Sequence, residues 1–452
     1  MRTVRIGNGS AYWGDMLDPA VELAEHGELD YLGLDHLAEL TLAILQRTKA
    51  ADPQQGFIPD LVPWMEALLP VSRRTGVRLI TNAGGANPPA GAAAVVELAR
   101  RLGLGGLRIG VVSGDDVLSQ LDRLVADGVR LVNLDTGEEG LDRIRNRIVA
   151  AHAYLGSDPI VEALAAGADL VITGRVTDSA LTIAPLLHEF GWHRGPDWDR
   201  VGAAIIVGHV LECSCFCTGG GSNQWREAPE PWRIGFPLAE VAEDGTAVIT
   251  KVPGSGGLVT QWTVKEQLTY EVTDPTAYVT PDGVADFTGV RVDEVGPDRV
   301  RVTGMRGRPR PDTLKVCIGY WDGWIAEGLL LFSWPDALAK AQRAEEIVRR
   351  RLQALQIPVE EIRCDYVGLN TLHGAVAPAP SADLNEVGLR IAARCPTPQA
   401  ADAVRREATH LWTLGGVGTA FGVPFRPRPV VALWPTLVPR DAVVPRVEVL
   451  TV

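Results

Sequence analysis

The chain lacks the features that mark several large classes of protein. It carries 6 cysteines in 452 residues without framework spacing, which excludes a disulfide-stapled scaffold and points to a reducing, cytoplasmic compartment. No apolar run approaches the roughly 18–20 residues that a membrane span requires. The opening Met1-Arg2-Thr3-Val4-Arg5-Ile6 runs straight into a strand-like pattern, with no apolar signal segment. Positive charge is also scarce. A net charge of −13 repels phosphate backbones and removes the usual drive toward nucleic acid. The expected partner is therefore a small molecule, with neither nucleic acid nor membrane. No G-x-G-x-x-G fingerprint, P-loop or paired-cysteine zinc spacing occurs. No cofactor motif is complete, and a divalent metal on carboxylates stays open.

What is present is apolar material in short pieces. Hydrophobic residues make up 46% of the chain, enough for sizeable cores, and 48 glycines with 31 prolines predict many tight turns. Up to residue 190, apolar runs at 4–6, 30–34, 77–81, 107–112, 129–134 and 168–172 read as strands that end in polar turns. Helical patterns lie between several of them. One at 90–102 has Arg100 and Arg101 in its last turn and Gly103 behind it, and one at 158–166 is closed by Gly167. Such alternation predicts a largely parallel sheet with flanking helices, open rather than closed into a barrel because the first units differ in length. A buried helix is expected at 201–213, then half-buried, mostly antiparallel strands across 246–334. A helix at 336–355, a strand at 387–393, a helix at 397–412 and a strand at 430–433 predict an α+β end resembling a split βαβ unit. The fold class is thus α/β, in three regions: 1–235 with the site, a mixed and antiparallel β region at 236–335, and an α+β region at 336–452.

Several long segments resemble a known family. They are Ala151-His152-Ala153-Tyr154-Leu155-Gly156, the run 159–164, Ile172-Thr173-Gly174-Arg175-Val176-Thr177-Asp178, the turn 82–88, Val207-Gly208-His209-Val210-Leu211-Glu212-Cys213, Thr218-Gly219-Gly220 and Thr263-Val264-Lys265-Glu266-Gln267-Leu268. Together, over nearly the whole chain, they resemble the acyclic terpene utilisation (AtuA-like) family. The resemblance implies a part in the catabolism of branched terpene acids through CoA thioesters, without defining this component's reaction. The chain departs from the family pattern at His152, where Asn is expected, and in the tryptophans between Trp225 and Trp232. It also departs in having no additional C-terminal ferredoxin-like domain. The first two leave the substrate open. The third implies a small, separately encoded ferredoxin-like partner or no need of one, and a homo-oligomer is expected.

The turn Asn82-Ala83-Gly84-Gly85-Ala86-Asn87-Pro88 follows a strand and opens a helix. It reads either as a ligand cradle, with backbone N–H groups free for an anion, or as a plain strand-to-helix turn. Arg175 can clamp a carboxylate or phosphate, and Asp178 can act as a base, orient Arg175 or cap the helix after it. Asp15, Asp35, Glu39, Asp115 and Asp116 lie near strand ends, where each taken singly reads as a cap or turn residue. His36 and His152 lie beside strand ends as well, and His209 reads as core. Cys213, Cys215 and Cys217 read as buried thiols, with alternate residues on one face if the segment is extended. Lys251, Lys265 and the strip Arg306, Arg308 and Arg310 are the cations placed to meet an anionic group.

These readings assign proton transfer to Asp178, His152 and Tyr154. Substrate binding goes to Asn8, Asn82, Gly84, Gly85, Asn87, Asp115, Arg175, Gly219 and Gly220, and no residue is assigned to a metal. The expected function is a lyase, hydratase or isomerase that abstracts a proton from a small carboxylate or acyl-CoA thioester. The alternative is a non-catalytic subunit of an acyl-CoA-processing complex.

Overall fold

The computed structural model describes residues 2–380, 382–422 and 425–452. Its first elements are β1 (Thr3–Asn8), α1 (Leu17–His26), β2 (Tyr31–Leu34), α2 (Glu39–Ala51), α3 (Leu61–Thr75), β3 (Arg78–Thr81), α4 (Pro88–Arg101) and β4 (Arg108–Ser113). There follow α5 (Leu121–Ala126), β5 (Ile148–Ala153), α6 (Asp158–Ala165), β6 (Leu170–Thr173), α7 (Ala180–Phe190) and α8 (Trp198–Glu212). The middle of the chain forms β7 (Pro237–Ala242), β8 (Ala247–Lys251), α9 (Gln261–Thr269), β9 (Tyr278–Val279), β10 (Val284–Asp286), β11 (Arg291–Gly296), β12 (Arg299–Thr303), β13 (Arg306–Arg308) and β14 (Thr313–Ser333). The rest is α10 (Ala337–Ala354), β15 (Glu361–Val367), β16 (Glu386–Cys395), α11 (Pro398–Leu414), β17 (Thr419–Phe421), β18 (Arg428–Pro439) and β19 (Arg446–Thr451).

Contacts group the chain into two compact units, residues 1–319 with 433–452, and residues 320–432. The first is built on a ten-stranded open sheet in the order β11-β12-β8-β7-β1-β2-β3-β6-β4-β19. The five strands β1, β2, β3, β6 and β4 run parallel. β2 and β6 are buried at every position, as expected of strands covered on both faces by crossover helices. The antiparallel pairs of β7, β8, β12 and β11 extend one edge, so these four strands of the expected β region belong to this sheet, while β9, β10 and β13 form a separate three-stranded one. The chain lays β4 one position beyond the next vacancy, then returns to insert β6. Winding reverses there, which opens a crevice past the carboxyl ends of the strands.

One expected strand is absent. Residues 129–134 form a loop, and the edge beside β4 is taken by β19, paired from Arg446 opposite Ser113 to Thr451 opposite Arg108. A strand needs a free edge as well as an apolar run. The loop is instead held by Leu134 N–H donating to Pro435 O at 2.8 Å and by Trp434 Nε1 donating to Leu131 O at 3.1 Å. Conversely, β5 was not expected, and it carries His152.

The second unit has the sequence β14 (from residue 320), α10, β15, β16, α11, β17, with strand order β15-β16-β14-β17. That is a split βαβ arrangement, and its first strand comes from before residue 336. Ala337, Ala341, Ala344, Val348 and Leu352 of α10 and Ala401, Val404, Ala408 and Leu411 of α11 share a core with Leu330, Phe332, Leu389 and Ile391 of the sheet. Among the described residues, no helix is long and apolar enough to cross a membrane.

Candidate functional site

The parallel strands end in polar residues that bond to one another across the sheet. At the end of β1, Asn8 Nδ2 donates to Ser10 O at 3.0 Å, Leu211 O at 2.8 Å and Glu212 O at 3.0 Å. This fastens the last turn of α8 to the strand. Past β2, Asp35 Oδ1 accepts from Asn82 Nδ2 at 2.6 Å and from Leu37 N–H at 3.1 Å. Asn82 Oδ1 in turn accepts from the His36 N–H at 2.7 Å, an obligate donor that sets the amide's orientation. Asp35 Oδ1 is therefore fully engaged, while Oδ2 has no partner among the described residues.

Arg175, past β6, is the hub of the site and only 2% exposed. Its N–H donates to Asp115 Oδ2 at 2.9 Å, the same oxygen that His152 Nδ1 meets at 2.8 Å. Its Nη1 donates to Leu37 O at 3.0 Å and to Asp178 Oδ1 at 2.8 Å. The guanidinium carbon lies 4.1 Å from the Tyr154 ring centroid, a cation–π contact. The Tyr154 hydroxyl donates to Glu39 Oε1 at 2.5 Å, and Lys315 Nζ stands 3.5 Å from the same oxygen. Three buried nitrogens of the surrounding shell, Arg175 Nε, His152 Nε2 and His36 Nδ1, have no partner among the described residues. Glycine at 174 is required by this packing, since a Cβ there would lie 2.3 Å from Asp115 Oδ1. Gly174→Ala is expected to cost about 1–3 kcal/mol in a urea unfolding curve. An unchanged midpoint would show that Asp115 moves freely.

The charges here set one another. Burial, then the charge of Asp178, pushes the Asp35 carboxyl well above the usual carboxylate range, against the pull of Arg175 and Asn82. Burial also opposes ionisation of Glu39. There the Tyr154 hydrogen bond and the cations of Arg175 and Lys315 win, and the carboxyl is held down at about 2. Desolvation lowers His36 to about 4, so this histidine is neutral. Desolvation raises the Tyr154 phenol, further helped by Glu39, although Arg175 opposes it.

Several expected residues are placed here and do other work than expected. Arg175 spends its bonds inside the protein rather than presenting a free clamp. Asp178, 37% exposed at its side chain, bonds Arg175. It does not cap α7, whose N-cap is Ser179 without a side-chain bond. Asn8 and Asn82 are committed to the backbone and to Asp35. Gly84 is a packing glycine, since a Cβ would lie 2.5 Å from Thr173 O, and Gly85 turns at φ 57 against Leu45. Asn87 fastens the loop before it, donating to Pro53 O at 2.9 Å and Gln55 O at 2.7 Å. Gly219 and Gly220 follow a short 3-10 helix, Ser214–Thr218, which replaces the extended cysteine segment, and Gly220 packs on Cys215. Lys251 is buried on Ser255 O at 2.7 Å, and Arg310 pairs with Asp158 at 2.7 Å. Neither cation is free for a ligand. Among the described residues, no group of three or more His, Cys, Asp or Glu side chains is arranged to hold a metal ion.

Four residues of this region carry more than their sequence setting indicated: Asp35, Glu39, Lys315 and the pair partner Glu212. Asp35 was visible as an acid directly past a strand, whereas nothing marked Lys315, which arrives on β14. Glu212 meets His209 Nδ1 at 3.0 Å, and His209 Nε2 meets Gln267 O at 2.9 Å. A carbonyl oxygen only accepts, so Nε2 carries hydrogen and a second proton is shared between Nδ1 and Glu212. Burial works against the imidazolium, and the Glu212 hydrogen bond and charge overcome it, leaving His209 raised. Its stabilisation is full below the unfolded value near 6.5 and is lost as pH rises through the folded one. Nitrogen-15 NMR of His209 should show this late titration, and Glu212→Gln should move it to lower pH. No movement would break the pairing.

Fold and site together define an open, largely parallel α/β protein with a buried polar centre at the carboxyl edge of its sheet. The pattern of the acyclic terpene utilisation family protein AtuA matches residues 4–449, and the chain belongs to that family. No curated protein and no solved structure matched the chain.

Proposed function

We infer that the chain is an enzyme of acyclic terpene utilisation that moves a proton at a carbon beside the carbonyl of a small carboxylate or acyl-CoA thioester, leading to hydration, dehydration or isomerisation. The observation that carries this reading is a pair of carboxyls pushed in opposite directions around one buried arginine: Asp35 upward and Glu39 down to about 2. Environments that separate two acids in this way suit proton transfer near neutral pH.

Asp35 Oδ2, without a protein partner, is the atom that takes or gives the proton. Lys315, 40% exposed at its side chain and ion-paired with Glu39, is the group for the carbonyl oxygen as negative charge grows on it, while the Tyr154 hydroxyl, whose one hydrogen goes to Glu39, holds that carboxylate in place. Arg175 is a positioning residue that holds Asp178, Tyr154 and the Leu37 backbone in place. Asp115 orients His152 through Nδ1 and directs the unpartnered Nε2 inward, in support of a second proton carrier. A homo-oligomer and a small ferredoxin-like partner fit the same reading.

The test is hydrogen exchange. The protein is incubated in D2O with branched unsaturated acids and their CoA thioesters, and NMR follows deuterium entering beside the carbonyl. Exchange with one of these classes is expected. Tight binding of a thioester with no exchange and no turnover would instead favour a non-catalytic subunit of an acyl-CoA-processing complex.

A further inference from the structure

A cleft of about 430 Å³ opens at the carboxyl end of β4, lined by Ser113, Gly114, Asp116, Ser119, Gln120 and Arg446 among others. Its walls come from three places. Arg446 of β19 is paired directly opposite Ser113 of β4, and opposed residues of an antiparallel pair point to the same face. Gly114 turns at φ 97, and a Cβ there would lie 2.4 Å from Val444 O. Glycine thus lets the segment before β19 close the floor. Asp116 Oδ1 accepts from Leu118 N–H at 3.1 Å and so holds the short 3-10 helix Leu118–Gln120, which supplies Ser119 and Gln120.

The donors of this cleft are unspent. Among the described residues, the side chains of the half-buried Ser113 and Gln120 and of the exposed Ser119 and Arg446 have no hydrogen-bond or ion-pair partner, so they face the open cleft rather than the protein. The more buried arginines of this unit, Arg175 and Arg194, are committed to carboxylates. The one acid in the lining, Asp116, has Lys49 Nζ at 3.6 Å. Its charge is therefore offset and that of Arg446 is not. A guanidinium, an amide and two hydroxyls around one space match an oxyanion, inside a chain whose net charge of −13 would otherwise repel one. The cleft also adjoins the centre described above, because Asp115, between Gly114 and Asp116, holds both His152 and the Arg175 N–H.

We propose that this cleft is an anion-binding subsite that receives the negatively charged far end of the substrate. That end is either the phosphate of a phosphorylated carrier or a second carboxylate. The assignment to the substrate rests on the proton-transfer reading, while the anion binding does not.

Calorimetry with inorganic pyrophosphate and with glutarate as probes tests the proposal on the full chain. At least one probe is expected to bind, and Arg446→Ala should weaken it roughly tenfold, about 1.4 kcal/mol. Arg446→Lys should fall between the two. Arg101→Ala removes the same charge from an equally exposed position at the end of α4, outside the cleft lining, and should leave binding nearly unchanged. Pyrophosphate bound in preference to glutarate identifies a phosphorylated carrier, and the reverse identifies a distal carboxylate. Equal losses in the Arg446 and Arg101 variants, or no binding of either probe, would overturn the subsite. Asp35→Asn should abolish exchange and leave probe binding intact, so the two readings fail separately. Loss of exchange in the wild type with Arg446-dependent binding would leave the subsite standing alone.

Discussion

Asp35→Asn is expected to make the protein more stable and to stop proton exchange on its substrate. Both effects follow from one buried carboxyl. Asp35 is 4% exposed, and burial with the adjacent charge of Asp178 holds its folded pKa above the unfolded value near 3.8. The native state then binds more protons than the unfolded chain. For a raised acid, stability is fully present below the unfolded pKa and falls as pH rises toward the folded value. At neutral pH the group is a net cost that an amide removes. The carbonyl oxygen of the replacement amide would still accept from Leu37 N–H and Asn82 Nδ2, so the local bonds survive. Thermal unfolding from pH 4 to 8 should show a higher midpoint for the variant at pH 7 and a shrinking difference toward pH 4. Exchange should fall by about 10²–10⁴, the usual contribution of a positioned acid or base. A variant less stable across that whole range, or one that still exchanges at the wild-type rate, would remove Asp35 from its role.

The second large effect is expected at Arg175. Replacing it by Met keeps much of the side-chain volume and deletes the charge. Asp178 then loses its hydrogen-bonded cation, Leu37 O loses a donor, and the Tyr154 ring loses the cation over its face. Asp178 is 37% exposed and can be hydrated, so the cost comes from the buried Leu37 carbonyl left without its donor, about 1–3 kcal/mol. Urea denaturation should show a loss of that order, with Arg175→Lys no better than a partial rescue, since one ammonium cannot cover the same fork. The pH dependence should change too. Glu39 is held down at about 2, so it contributes stability above its unfolded value, lost as pH falls through the folded one. Without Arg175 that acid-side loss should become smaller. A midpoint within experimental scatter of wild type would mean that the hub is not structural.

Much of the scaffold was legible beforehand because it depends on local pattern. The helices at 90–102, 201–213, 336–355 and 397–412 carry their own periodicity and stop signals. The short apolar runs that lead into the ends of β2 and β6 read as strands, and both are buried at every position. The loop at 129–134 was misread because an apolar run does not reveal which edge is vacant, and β19 arrives from the other end of the chain. The placement of Asn8, Asn82, Asp115, Arg175 and Asp178 past strand ends was legible, since they lie just beyond apolar runs. Their partners were not legible. Whether an asparagine faces a ligand or a carbonyl depends on residues 46 or more positions away, as in Asn82 with His36 and Asn8 with Leu211.

By itself, the sequence determined the class of the fold, the family, and the line of polar residues behind the strands, because hydrophobic period and turn chemistry act over a few residues. Only the tertiary structure decided which of them remain available for chemistry. Insertion of β6 between β3 and β4 brings Arg175 against the Tyr154 ring and within the field of Asp35 and Glu39, and low dielectric with long-range pairing then separates the acids. Charge interactions depend on distance and burial, and neither is a property of position along a chain.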